Sequence, residues 1–196
     1  MADDGREGGL RERKRRETMQ RITQAGIRLF IAKGFEGATL DEIAAEAGIS
    51  RRTFFHYFKS KDDILLALQS GMGEGIAASV RQAPPDARPL DAIRQAVIDA
   101  CAAVPPEDMI KIDRLMRSSA SVQARKQASY VEHELTLFAA LRDRWPQPER
   151  ELALRLVALM AIGALRLSTE RFSLEGGKRA LTELLNEAFD ALDAGI

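Results

Sequence analysis

Apolar side chains recur along this chain at three- and four-residue spacing, and no stretch alternates strictly between apolar and polar. The pattern therefore predicts helices and no strands. A first helix is expected from about Glu12 to Lys33, with Ile22, Ala25, Gly26, Leu29 and Phe30 on one face and Gly34 as its stop. Thr39 is placed to N-cap a short second helix. Glu42, three residues on, completes a capping box, and Gly48 ends the helix as a left-handed residue. Ser50 caps a third helix through about Phe58. Ser60 caps a fourth that opens Lys61-Asp62-Asp63, with acids where the helix dipole favours them. That helix carries Ile64, Leu65 and Leu68 and is expected to fray through Gly71, Gly73 and Gly75.

Pro84-Pro85-Asp86-Ala87-Arg88-Pro89 cannot be helical and reads as a linker. Amphipathic helices follow at about Leu90–Val104, Glu107–Arg117, Val122–Arg144, Glu149–Arg171 and Gly177–Ala194. They are separated by Pro105-Pro106, the Ser118–Ser121 cluster, Pro146/Pro148 and Gly176-Gly177. The fold class is all-α. The expected organisation is a flexible basic N-terminal arm at 1–15, a helix-turn-helix domain at 16–61 and a helical body at 62–196.

Composition changes this picture only when it is mapped along the chain. The 196 residues carry 29 basic and 29 acidic side chains, a net charge of zero that argues against a polyanionic partner. Residues 1–61, however, hold 13 Lys/Arg against 9 Asp/Glu, so the body carries the opposite imbalance. From Ala47 to Lys61 there is no acid at all, while Arg51, Arg52, Lys59 and Lys61 are present. A neutral chain with a basic end suggests a polyanion-binding module joined to something else. A single cysteine excludes a disulfide framework and an all-cysteine zinc site.

The chemistry sits in Thr39–Lys61, TLDEIAAEAGISRRTFFHYFKSK. Two short helices joined by a glycine turn make a helix-turn-helix. Ala44 and Ala47 give the small surface where the second helix crosses, and Ile43, Ile49, Phe54 and Phe58 close the core. Arg51, Arg52, Thr53, His56 and Tyr57 are left facing outward, where they can enter a major groove while the flanks grip phosphate. Arg13-Lys14-Arg15-Arg16 lies beside this motif and suits phosphates or a minor groove.

The stretch from about Arg16 to Leu68 resembles the TetR (tetracycline-repressor) family of bacterial regulators. The likeness runs through Ala25-Gly26-Ile27-Arg28-Leu29-Phe30, Gly34-Phe35, Ala38-Thr39-Leu40, Ile43-Ala44, Ala47-Gly48-Ile49-Ser50, Thr53-Phe54, Tyr57-Phe58 and Ser60-Lys61. The resemblance implies a three-helix DNA-binding bundle, a connecting helix, and a ligand-binding domain that dimerises through its last two long helices. With Ser50 and Lys59 beside the positions it carries over, the expected DNA-binding set is Thr39, Ser50, Arg51, Arg52, Thr53, His56, Tyr57, Lys59 and Lys61. Within that set Arg51, Arg52 and Thr53 approach bases, and Thr39, Tyr57 and Lys61 approach phosphate. Phe55 stands where the family commonly has tyrosine, so one phenolic contact is missing. Each arginine can read a guanine edge or bind phosphate.

In the body, the helix at 149–171 is apolar nearly all round. Leu152, Leu156, Leu159 and Gly163 lie on one face, with Leu154, Val157, Ala161, Ala164 and Leu165 on others. Such a helix needs several buried sides. With Leu181, Leu184, Leu185, Ala188, Phe189 and Leu192 on the helix at 177–194, it suggests a four-helix homodimer interface. A dimer would read a palindromic operator in double-stranded DNA. Candidate lining of an effector pocket is Ile98, Cys101, Met109, Ile112, Leu115, Met116, Leu137, Phe138, Leu141 and Met160, with Arg114, Tyr130 and His133 as polar groups.

Other classes find little support. His133-Glu134 opens like a zinc HExxH motif, but Leu137 stands at the second histidine position. No metal, cofactor or catalytic residue is expected, and Cys101 reads as packing. The longest uncharged apolar run, Leu156–Leu165, is too short to span a bilayer. The expectation is a cytoplasmic, sequence-specific DNA-binding regulator, most simply a repressor released by a small-molecule effector. An architectural DNA-binding protein without effector is the alternative.

Overall fold

The computed structural model describes residues 4–118 and 120–194. These form nine α-helices and one 3₁₀ turn, with no strand among the described residues. The chain divides into two compact units. The first comprises Met1–Gly71 with Arg114–Gln123, and the second Met72–Asp113 with Ala124–Ile196. Helix α4 therefore contributes its first half to the first unit, and the division falls at Gly71 rather than at Lys61.

In the first unit, α1 (Asp4–Lys33), α2 (Leu40–Glu46), α3 (Arg51–Tyr57) and the start of α4 (Lys61–Arg81) surround one small core. Ile22, Phe30, Ile43, Phe54, Ile64 and Leu65 are buried almost completely. Each such side chain contributes about 1.5–3 kcal/mol on leaving water. Helix α1 starts at Asp4, so the basic arm expected at 1–15 is helical in its described part. The run 10–17, LRERKRRE, consists of good helix formers, and Arg13 pairs with Glu17 one turn on at 3.5 Å. Gly26 is buried at the crossing of α1 with α4, where a β-carbon would lie 2.9 Å from Cγ2 of Ile64. Leu115, Met116 and Val122 are buried in this unit as well.

The second unit contains the rest of α4, α5 (Pro89–Ala102), most of α6 (Pro106–Ser118) and of α7 (Ala120–Arg144), α8 (Glu151–Leu174) and α9 (Leu181–Asp193). Helix α4 does not fray at its glycines but runs to Arg81. Ile76, Ala77 and Val80 lie in the core of this unit, and their burial outweighs the glycine cost of about 1 kcal/mol per residue. Gly73 also has a packing role, since the His133 ring would be 3.1 Å from a β-carbon there. The last helix begins at Leu181 rather than Gly177. Gly176 and Gly177 take φ of 64° and 74°, which break the helix after α8, and Ile110 closes over Gly177.

Helix α8 packs against α5 and α9. Its core ridge is Leu154, Ala158, Ala161, Ala164, Ser168 and Phe172, and Ser168 Oγ donates to the carbonyl of Leu184 at 3.1 Å. Helix α9 buries Leu181, Leu184, Leu185 and Phe189 in this same core. Ion pairs fix its flank to α5, from Arg94 to Asp190 at 2.6 Å and from Arg88 to Asp193 at 2.9 Å. The apolar stripe of α9 expected at an intersubunit face is thus used inside the subunit. The face left open belongs to α8: Leu152, Leu156, Leu159, Met160 and Leu167 are 73, 49, 44, 39 and 59% exposed.

Candidate nucleic-acid interface

Local sequence chemistry builds the helix-turn-helix. Thr39 Oγ1 accepts from the Glu42 amide at 3.2 Å, and Glu42 Oε2 accepts from the Thr39 amide at 2.9 Å, so both caps of the box are made. Lys33, at the end of α1, donates to Glu42 Oε1 at 2.6 Å and ties α1 to α2. Lys33 and Thr39 together hold the Glu42 carboxyl down to about 2. Gly48 closes α2 with φ of 66°. Ser50 Oγ then accepts from the Thr53 amide at 3.1 Å and starts α3.

This register turns Phe54 and Phe58 into the core and leaves Arg51, Arg52, Phe55, His56 and Lys59 exposed. Thr53 and Tyr57 are half-buried. Arg52, Thr53, Phe55, His56 and Tyr57 line one open depression on α3. Among the described residues Arg52 is exposed and has no charged partner. Thr39 and Ser50 are exposed but occupied as caps.

Two expected contacts sit differently. Lys61 points inward: its Nζ donates to the carbonyls of Phe35 at 2.6 Å and Ala38 at 3.2 Å, and lies 4.7 Å from the Phe35 ring centroid. It therefore fastens the α1–α2 loop to the start of α4 through two of its three N–H donors. Arg51 donates through Nη1 to both oxygens of Asp41, at 3.1 and 3.0 Å. Its guanidinium carbon lies 5.8 Å from the Phe55 ring centroid. Asp41 is not among the residues expected on this cationic surface; its signal is an exposed acid in the first turn of α2.

The expected pocket residues are divided between the two units. Cys101, Leu137 and Leu141 belong to the core of the second unit, with Met109 and Phe138 packed against it. Burial pushes the Cys101 thiol up to about 11, which keeps it protonated and unreactive. Ile98, Ile112, Tyr130 and His133 are half-buried. Burial raises the pKa of the Tyr130 hydroxyl, against the effect of its neighbour Thr169, and lowers that of His133. Leu115 and Met116 belong to the first unit, and Met160 lies on the outward stripe of α8. Periodicity puts these residues on apolar faces without showing which neighbour each face meets.

Length and mean hydropathy alone would let the Pro148–Leu174 helix cross a bilayer. Arg155, Arg166, Glu170 and Arg171 interrupt it, and Arg155 pairs with the buried Glu134 at 2.6 Å. Its inner ridge is part of the core described above.

Residues 22–68 match the family model described as bacterial regulatory proteins, tetR family, and residues 87–196 match the model of the MftR C-terminal domain. The regulator MftR of Mycobacterium tuberculosis, whose name ties it to mycofactocin biosynthesis, is 28% identical over 194 residues. That match covers 94% of this chain and 93% of MftR. The transcriptional regulator TcmR of Streptomyces glaucescens is 35% identical over 85 residues. Here the match spans 43% of this chain and only 38% of TcmR. Among solved structures, FadR of Bacillus subtilis in complex with stearoyl-CoA superposes with a TM-score of 0.58 at 19% identity. It covers 90% of this chain and 98% of that one, a likeness of fold.

Proposed function

The chain belongs to the TetR family of bacterial regulatory proteins and carries its MftR-type C-terminal domain, and from that premise we propose that it is a homodimeric, cytoplasmic repressor that releases its operator on binding a small-molecule effector. It is a DNA-binding transcriptional regulator. The observation that carries its reading of an operator is the exposed cationic surface of α3, with Arg52 unpaired among the described residues and no acid from Ala47 to Lys61. Arg51, Arg52, Thr53 and His56 address bases. Tyr57, Lys59, and Thr39 and Ser50 at the helix starts lie at the phosphate-facing margin.

The exposed α8 stripe supports a symmetric dimer, since an apolar row this long is uncommon on a monomer. Two recognition helices a helical turn apart would read a palindromic site. An effector acts only through unequal affinity for the operator-bound and released states. The test is selection of bound sites from randomised duplex DNA, followed by binding at several salt concentrations. An inverted-repeat site and a steep fall of affinity with salt are expected. Binding of all sequences alike would favour an architectural role.

A further inference from the structure

We propose that Asp41 is a positioning residue that holds Arg51 for reading a guanine, so that α2 takes part in base recognition by α3. The proposal rests on the DNA-binding function above. Its basis is the way the guanidinium is shared. Asp41 accepts only from Nη1, at 3.1 Å to Oδ1 and 3.0 Å to Oδ2. Among the described residues, no hydrogen bond engages Arg51 Nε or Nη2. Those two nitrogens form the side edge of the guanidinium, with parallel N–H donors spaced to meet guanine O6 and N7 together. One nitrogen is spent on the protein, and the Nε–Nη2 edge that suits guanine is left open.

Phe55 fixes the group from another side, with its ring centroid 5.8 Å from the Arg51 guanidinium carbon. Phe55 is itself held edge-on to the buried Phe54 at 5.6 Å, so its ring rests on the core. An exposed arginine otherwise loses much rotamer freedom when it docks on a base. Ordering it beforehand lowers that cost and fixes the direction of its donors. The neighbouring Arg52 has no such support and can adapt to a base or a phosphate.

Asp41 has two other possible uses. It lies in the first turn of α2, where an acid favours the helix dipole. It also forms an exposed ion pair, and such pairs contribute little to folding. Neither use predicts a change in base preference. A third consideration sharpens the sign: an unpaired carboxylate at a DNA surface repels phosphate. Removing only that charge would tighten binding to every sequence by one factor.

The experiment starts from sites selected by the full-length protein. Each guanine of a half-site is replaced in turn, and the affinity penalty is measured for wild type, Asp41→Asn, Asp41→Glu, Arg51→Ala and Asp41→Asn/Arg51→Ala. Each penalty is a ratio within one protein, so a loss of folded protein cancels. For one guanine, the wild-type penalty is expected to be about tenfold or more. Asp41→Asn should reduce it at least about threefold, with partial recovery in Asp41→Glu, as expected for a buttressed bidentate contact. Arg51→Ala should abolish it, and the double variant should be no worse than Arg51→Ala alone. Unchanged penalties in Asp41→Asn, or a uniform gain of affinity, would overturn the proposal. Wild-type binding without any sequence preference would overturn the function on which it rests.

Discussion

Ile64 occupies the space that a β-carbon on Gly26 would need, 2.9 Å from its Cγ2 and 3.0 Å from its Cδ1. Ile64 is wholly buried, so it cannot swing aside into solvent. Gly26→Ala gains about 1 kcal/mol of helix propensity, but overpacking costs about 1–3 kcal/mol. The expected result is a net loss of stability in urea denaturation. Ile64→Ala alone should cost about 2–5 kcal/mol through the cavity it leaves. The double variant should lose less than the sum, because each change relieves the other. A strictly additive loss would show that the two residues do not contend for space.

The capping box gives the domain a defined response to acid. Lys33 and Thr39 hold Glu42 at about 2 against an ordinary 4.5. A carboxylate depressed in the folded state adds stability that is complete above the unfolded value. That contribution fades as pH falls from about 4.5 to about 2. Glu42→Gln retains an acceptor for the Thr39 amide but loses the ion pair with Lys33. It should flatten the acid limb of the thermal-melting profile in this window. A carboxyl carbon titration of Glu42 by NMR with an ordinary midpoint would contradict the geometry.

These local devices are legible in the sequence because each is written within a few residues. Thr39 with Glu42, Gly48, and Ser50 with Thr53 fix the start and stop of two helices without help from the rest of the chain. Long-range roles are not. The glycines of α4 read as breakers because nothing nearby in sequence shows that the His133 ring packs over Gly73. The α9 stripe reads as an interface because periodicity identifies a buried face without identifying what buries it. Lys61 reads as a phosphate ligand, and a cation beside a helix-turn-helix does not reveal that it also donates to the Phe35 and Ala38 carbonyls.

Lys59 and Lys61 should therefore separate in experiment. Lys59 is exposed, and Lys59→Ala should weaken binding to all sequences alike. The slope of log affinity against log salt should fall by about 0.9 for each phosphate that the variant no longer neutralises. Folding stability should not change. Lys61→Ala removes two hydrogen bonds to backbone carbonyls and should lower the melting temperature. Hydrogen bonds to charged groups contribute about 1.5–3 kcal/mol each at most. Its salt slope should remain near wild type. A slope change in Lys61→Ala with unaltered melting would show that the ammonium leaves its carbonyls for DNA.

The α8 stripe predicts how assembly fails. Leu156 is half-exposed at the middle of a row that includes Leu152, Leu159 and Gly163, and its side chain plays no part in the subunit core. Leu156→Glu should leave the helix and its inner ridge intact, because the new carboxylate remains in water in the isolated subunit. Across a twofold axis, however, the substitution occurs twice and sets two carboxylates within an apolar face. Burying them unpaired carries a penalty of several kcal/mol. Sedimentation at micromolar concentration should show a dimer for wild type and a monomer for Leu156→Glu, with the same circular dichroism at 222 nm. Operator affinity should fall steeply in the variant, because a lone recognition helix reads only half a site. Persistence of the dimer in Leu156→Glu would move the interface to another face of the molecule.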